Sequence, residues 1–317
     1  MTDNAGAVVK AAYNLLLNRE PEPAGLQYWA QALERGLPRD EFVRAVLNSP
    51  EFRHTPGSAA IASVEDIDLV IPVDRFEFRV PASDTSLVPH LLAHRCWEPH
   101  VMRFLERELR SPDVFVDVGA NIGYFTVRCA PLVQRVVAFE PVAKSRRYCA
   151  MNIELNRLQN VDLRPWALWH EDATLQIRCD ASCLGGAAVA PAHQGTALET
   201  IWGAALDVAL RRGAIDLPRL DMLKMDIEGA EVSALAGMRQ TIDRLRPRIV
   251  MEINRPALAA FGATIDDVWN FFDGLGYEIS VFDQWKEREP SPVAALDDLK
   301  RLCPPDSLVD IVASPGR

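Results

Sequence analysis

Asp113–Phe125 reads DVFVDVGANIGYF, and the interpretation of this stretch decides the fold. Val114, Phe115, Val116 and Val118 form a short, β-branched-rich apolar run, the pattern of a buried parallel strand. The chain then turns through Gly119, Ala120, Asn121, Ile122 and Gly123 and enters the helical-looking Tyr124–Cys129. A strand, a glycine turn and a helix start make a site for an anionic or polar ligand, because the first N–H groups of a helix lack internal partners. Gly119 and Gly123 read as positions where the backbone approaches a ligand that a Cβ would push away. Asp117, just before the turn, is placed to accept hydrogen bonds from ammonium or hydroxyl groups.

Spacing selects the ligand. A dinucleotide fold wants G-x-G-x-x-G, whereas this turn is D-x-G-x-N-x-G with Tyr124 in place of the third glycine. No Lys–Ser/Thr pair follows Gly123, which excludes a P-loop. A second strand, Val136–Phe139, closes on Glu140–Pro141. An acid there, about 20 residues beyond the first turn, is placed to bind both hydroxyls of a ribose. Ribose recognition without a pyrophosphate cradle points to S-adenosylmethionine. After a third strand, Val161–Leu168 with Pro165 inside it, Trp166 and Ala167 are candidates to pack on the adenine.

Four segments, VDVGANIGYFT at Val116–Thr126, AFEP at Ala138–Pro141, LKMDIEGAE at Leu223–Glu231 and IVMEIN at Ile249–Asn254, resemble the FkbM family of S-adenosylmethionine-dependent methyltransferases. They fall in the family's order, and K-x-D-x-E-G-x-E is the most specific of them. The resemblance implies an α/β, Rossmann-like class I methyltransferase fold with a mostly parallel seven-stranded sheet. It also implies methyl transfer, usually to oxygen, without identifying the acceptor.

Ligands of open α/β sheets bind outside the carboxyl ends of the strands. Asp117, Glu140, Asp226, Glu228 and Glu252 all sit at or just past predicted strand ends, so they should converge on one cleft. The cofactor set is therefore Asp117, Gly119, Ala120, Asn121, Gly123, Tyr124, Glu140, Pro141, Trp166, Ala167 and Asp226. The catalytic candidates are Asp226, Glu228 and Glu252, because an alcohol acceptor must lose a proton as its oxygen attacks. Glu231 is expected to complement the dipole of the helix it opens, and Lys224 to pair with Glu252 across to the fifth strand. A divalent ion is open but unsupported: His90 and His94 lie one helical turn apart with no further ligand at usable spacing, and His100 falls off their face.

Hydrophobic content of 49% and charged content of 25% over 317 residues are those of a globular protein with a sizeable core. A net charge of −10 argues against a nucleic-acid partner. The six cysteines show no C-x-x-C pair and read as reduced thiols. With no signal peptide and no membrane-spanning run, the expected location is cytoplasmic. The expected division is a small all-α module at 1–56, a linker, β-hairpin and covering helix at 57–110, and the methyltransferase domain at 111–317. His54–Glu65 reads as the linker itself, and Trp97, Val101, Phe104, Leu105 and Leu109 as one face of the covering helix. The first module, with RE-PEPAGLQYW and NSPEF, resembles a small helical domain of unassigned function recurrent in bacterial surface and glycan-related proteins. It is either a docking module for an acceptor or partner, or a cap that buries Trp29 and Leu33 in its own core.

The reading is an S-adenosylmethionine-dependent O-methyltransferase acting on a hydroxyl of a glycan or secondary metabolite. Two alternatives are a non-catalytic S-adenosylmethionine-binding interaction protein and a nicotinamide-dependent oxidoreductase. Asn121 and Tyr124 disfavour the second.

Overall fold

A computed structural model describes residues 5–17, 19–47, 49, 51, 68–180, 183–189, 198–283 and 289–316. The expected linker His54–Glu65 and part of the expected loop Ala181–Thr196 lie outside them. Packing divides the chain at Trp97/Glu98.

In the first unit, helices Ala5–Leu17, Pro23–Glu34 and Arg39–Leu47 close around Val9, Tyr13, Leu16, Phe42, Val43 and Val46. Trp29 and Leu33 pack against this core, with the Trp29 and Phe42 ring centroids 5.1 Å apart. Antiparallel strands β1 (Asp68–Val73) and β2 (Phe76–Pro81) and helix Leu87–His94 follow, and Leu69, Ala82, Leu92 and Ala93 join the same core. Residues 68–97 therefore pack with the N-terminal helices, and the covering helix starts later than expected, at Pro99. Trp97 lies outside that helix, with its ring edge-on to His90. Pro99, which suits the first turn of a helix, marks the start.

The second unit is built on β3 (Val114–Val118), β4 (Arg135–Phe139), β5 (Val161–Arg164), β10 (Met222–Met225), β11 (Arg248–Asn254), β12 (Tyr277–Val281), β13 (Ser291–Val293) and β14 (Leu308–Pro315). Their order is β13-β12-β14-β11-β10-β3-β4-β5. The five strands from β11 to β5 are parallel, whereas β14 runs antiparallel to β11 and β12. Among the described residues the sheet has eight strands rather than seven; the addition, β13, is three residues long and carries Pro292, too short for a readable pattern. Because chain order moves outward from β3 to β4 and β5 and then resumes at β10 on its other side, the switch point falls between β3 and β10.

Alternation sorts the two faces. Val114, Val116 and Val118, with Leu223, Met225, Ile249, Met251 and Ile253, enter the main apolar core. Asp117 and Lys224, register partners, look out on the other face. Pro165 ends β5, and after the bend β6 (Ala167–Leu168) joins a smaller sheet beside β9 (Leu198–Ala204), which pairs with β7 (Ala173–Asp180). Within the glycine-rich stretch expected as a mobile loop, Cys183–Val189 is a strand, β8. Among the described residues, no helix is long and apolar enough to cross a membrane.

Candidate active site

The turn after β3 is held from within. Gly119 N and Ala120 N both donate to Phe139 O at 3.0 Å, and Asn121 N donates to Glu140 Oε2 at 2.7 Å. Glu140 Oε1 accepts from Val142 N at 2.8 Å, so one carboxylate ties the turn after β3 to the turn after β4. Burial pushes this carboxyl up to about 7 against the pull of those two amides. Protein atoms alone already demand glycine at positions 119 and 123. A Cβ on Gly119 (φ +84°) would lie 2.0 Å from Asp226 O, and one on Gly123 (φ +86°) would lie 2.8 Å from Cys149 Sγ. Asn121 also takes a left-handed φ of 52°.

Tyr124 opens the helix after the turn. Its side chain is buried, and its hydroxyl accepts from Arg128 at 2.9 Å within its own helix. Trp166 sits edge-on to Phe139 at 4.8 Å, half-buried against the main core. Ala167 packs with Val142, Ile177 and Ile201 at the smaller sheet. Pro141 is half-buried beside Glu140, and its carbonyl accepts from Arg146.

The acids converge at the carboxyl ends of β3, β10 and β11. Lys224, buried in β10, reaches Asp226 with Nζ 3.1 Å from Oδ2 and lies 4.3 Å above the Phe125 ring. It pairs with Asp226, not with Glu252 as expected, because residues two apart on a strand share a face. Burial works against the ammonium, yet Asp226, Glu98 and Asp117 outweigh it and raise Lys224 above its ordinary value. Asp117 is fully buried, accepts from Thr126 Oγ1 at 2.6 Å, and is raised by that burial. Glu228, half-buried at a left-handed φ of 53°, is pushed up to about 7 by burial and by Asp226. Glu252 is pushed up to about 9 by burial and then by Asp226, Asp310, Glu98 and Glu228. Glu231 braces the turn, accepting from Ile227 N and Gly229 N at 3.2 Å each.

Three residues join this cluster that sequence reading did not assign to it. Asp310 on β14 is the register partner of Glu252, and His100 Nε2 lies 2.7 Å from Asp310 Oδ2. Glu98, at the start of the His100 helix with φ 41°, acts electrostatically on both Lys224 and Glu252. A lone carboxylate in the apolar run Leu308–Ala313 was a signal for Asp310; nothing local in sequence links His100 or Glu98 to it. Two buried acceptors in this region, Asp117 Oδ1 and Asn121 Oδ1, have no hydrogen-bond partner. Among the described residues, no three His, Cys, Asp or Glu side chains are arranged to hold a metal ion.

A doubly wound sheet with acids gathered at its switch point and an antiparallel edge defines a Rossmann-like, class I methyltransferase. The sequence profile of the Methyltransferase FkbM domain matches residues 117–279, and the chain belongs to that family. Residues 4–55 match a domain of unknown function, DUF4214. Methyltransferase sdnD of Sordaria araneosa is 29% identical over 180 residues, which cover 47% of this chain and 69% of that protein. Among solved structures, a methyltransferase FkbM from Methylobacillus flagellatus KT is 17% identical, with a TM-score of 0.40 over 98% of this chain and 61% of its own. An rRNA methylase from Streptococcus thermophilus is 13% identical, with a TM-score of 0.41 over 68% of this chain and 95% of its own. Both scores lie below 0.5, so the details of the fold rest on the strand order above.

Proposed function

We propose that this methyltransferase uses S-adenosylmethionine and transfers the methyl group to a hydroxyl of a glycan or secondary metabolite. The observation that carries the reading is the Glu140 carboxylate, which joins two turns through one amide on each oxygen and keeps lone pairs for the two hydroxyls of a ribose. The unpartnered acceptors Asp117 Oδ1 and Asn121 Oδ1 fit the donors of an α-ammonium group, since buried acceptors are ordinarily satisfied. Those residues thus suit a ligand that is both nucleoside and amino acid. When bound, S-adenosylmethionine supplies an electrophilic methyl group on a sulfonium.

The chain's own task is to hold the acceptor oxygen and take its proton. Glu228, at about 7, has the balance of forms that a general base needs near neutral pH. Glu252, at about 9, keeps its proton there and so faces the acceptor as a hydrogen-bond donor. Asp226, held by Lys224, accepts hydrogen bonds from acceptor hydroxyls. An acid-rich cleft favours neutral polyhydroxylated acceptors over anionic ones. A pure binding module would need Asp117 and Glu140 but not this cluster.

The test is transfer of labelled methyl from S-adenosylmethionine into cell-extract glycans and small hydroxylated metabolites, followed by kinetics on the acceptor found. Glu228→Gln should lose roughly 10²–10⁴-fold in turnover with cofactor affinity unchanged. Normal turnover of that variant would remove Glu228 as the base.

A further inference from the structure

The helix Ala143–Leu155 begins directly after the Glu140–Pro141 turn, and its N-cap residue supplies no side-chain cap. That residue is Val142, whose side chain has no acceptor, and the first turn holds Lys144 and Arg146 but no acid. The acceptor comes instead from 56 positions further along the chain: Ala143 N donates to Glu199 Oε1 at 2.8 Å. One residue earlier, Val142 N donates to Glu140 Oε1 at 2.8 Å. Consecutive amides of one helix start therefore end on two carboxyl groups, the one read as the ribose acceptor and one from β9 of the smaller sheet. Strand alternation accounts for the second. Glu199 and Ile201 share a face of β9, and Ile201 is buried with Val142 and Ile177. Ile177 is also the register partner of Glu199 on β7. The packing that buries Val142 thus carries Glu199 to the next amide.

We propose that Glu199 is a positioning residue for the cofactor: by capping the helix at Ala143 it fixes the Glu140–Val142 turn, and with it the direction in which the Glu140 carboxyl meets a ribose. This rests on the reading that Glu140 binds the ribose of S-adenosylmethionine. An uncapped helix start frays, because its first N–H groups then turn to water. Fraying at Ala143 loosens Val142 N, one of the two amides that aim Glu140. The other, Asn121 N, belongs to the turn after β3, so Glu140 would swing about that remaining contact rather than leave the site. The arrangement gives the smaller sheet a part in cofactor binding.

The experiment is calorimetric titration of the full-length protein with S-adenosylmethionine and with its 2′-deoxyribose counterpart. The wild type should prefer the natural ribose by about tenfold or more, the scale of a hydrogen bond to a charged acceptor. Glu199→Ala removes the cap's acceptor. Ala143→Pro removes its donor and places proline at the first helical position, where it is well tolerated. Val142, extended at φ −70° and ψ 122°, already has the backbone that precedes a proline. Each variant should cut the preference by about threefold or more, with little change for the deoxy compound. The double variant should lose no more than either alone, since both remove the same bond. Glu199→Gln keeps an acceptor oxygen and should stay near the wild type. Should Ala143→Pro fail to fold, the comparison of Glu199→Ala with Glu199→Gln decides. A preference unchanged in both single variants, or equal losses for the two ligands, would overturn the proposal while leaving the cofactor reading in place. A wild type that binds neither ligand would overturn the cofactor reading and the proposal with it.

Discussion

Lys224 and Asp226 are joined at 3.1 Å at the carboxyl end of β10, with the lysine buried and the aspartate's side chain 25% exposed. The asymmetry matters when either partner is removed. Asp226→Asn leaves a buried ammonium without its nearest counter-charge, and breaking a buried pair in that sense costs about 3–5 kcal/mol. Lys224→Met leaves a carboxylate that water can still reach, and should cost less. Urea unfolding of the two variants checks the order, and equal losses would show that Asp117 and Glu98 hold the lysine without Asp226.

Gly119 is required by the end of β10 whether or not a ligand is present. A methyl there would collide with Asp226 O at a φ of +84°, so Gly119→Ala should destabilise by about 2 kcal/mol or more. Thermal unfolding of the variant with no cofactor present is the measurement. A melting temperature matching the wild type would return this glycine to the ligand-approach role expected from sequence.

Stability should fall as pH rises through the neutral range. Glu140, Glu228 and Glu231 titrate near 7 in the folded chain and Glu252 near 9, all above the ordinary 4.5. A carboxyl raised by folding contributes stability that is complete below its unfolded value and is lost as pH climbs through its folded one. The lowered carboxyls, Glu22, Glu108 and Asp162, act only on the acid side of that window. Melting temperature should therefore decline between about pH 5 and 9. Glu252→Gln should flatten the upper part of the curve, gaining roughly 2–4 °C for each kcal/mol relieved. A flat wild-type profile would contradict the burial of these acids.

The boundary at Trp97/Glu98 makes a truncation test. A fragment beginning at Ala59 keeps Leu69, Ala82, Leu92 and Ala93 but removes the Val9, Leu16 and Phe42 side chains that share their core. It should aggregate more than one beginning at Glu98, by size-exclusion chromatography. The reverse order would mean that residues 59–97 stand without the N-terminal helices.

Much of this was legible because parallel strands announce themselves. Val114–Val118 and Arg248–Asn254 are apolar runs closed by punctuating residues, and both stand where their patterns put them. Asp226, Glu228 and Glu252 stand at or near the carboxyl ends of β10 and β11, where the strand pattern puts them. Side-chain direction was harder. Tyr124 occupies a readable place in the turn, yet its ring turns inward to Arg128, and no spacing rule reports that. Lys224 was assigned to the wrong acid because a neighbour two residues away on one strand competes with a neighbour across the sheet. His100 and Asp310 are 210 positions apart, and their meeting depends on how a flanking helix docks beside an antiparallel edge. The break at Pro165 was visible, but the second sheet that receives Ala167 was not.

Calorimetric titration with S-adenosylmethionine tests the central claim most directly, with Glu140→Gln and NADH as controls. The wild type should bind one equivalent of S-adenosylmethionine and no NADH. Glu140→Gln should bind more weakly by about 1.5–3 kcal/mol, the scale of hydrogen bonds to a charged group. A folded wild type that binds NADH instead, or S-adenosylmethionine affinity unchanged in Glu140→Gln, would contradict the account.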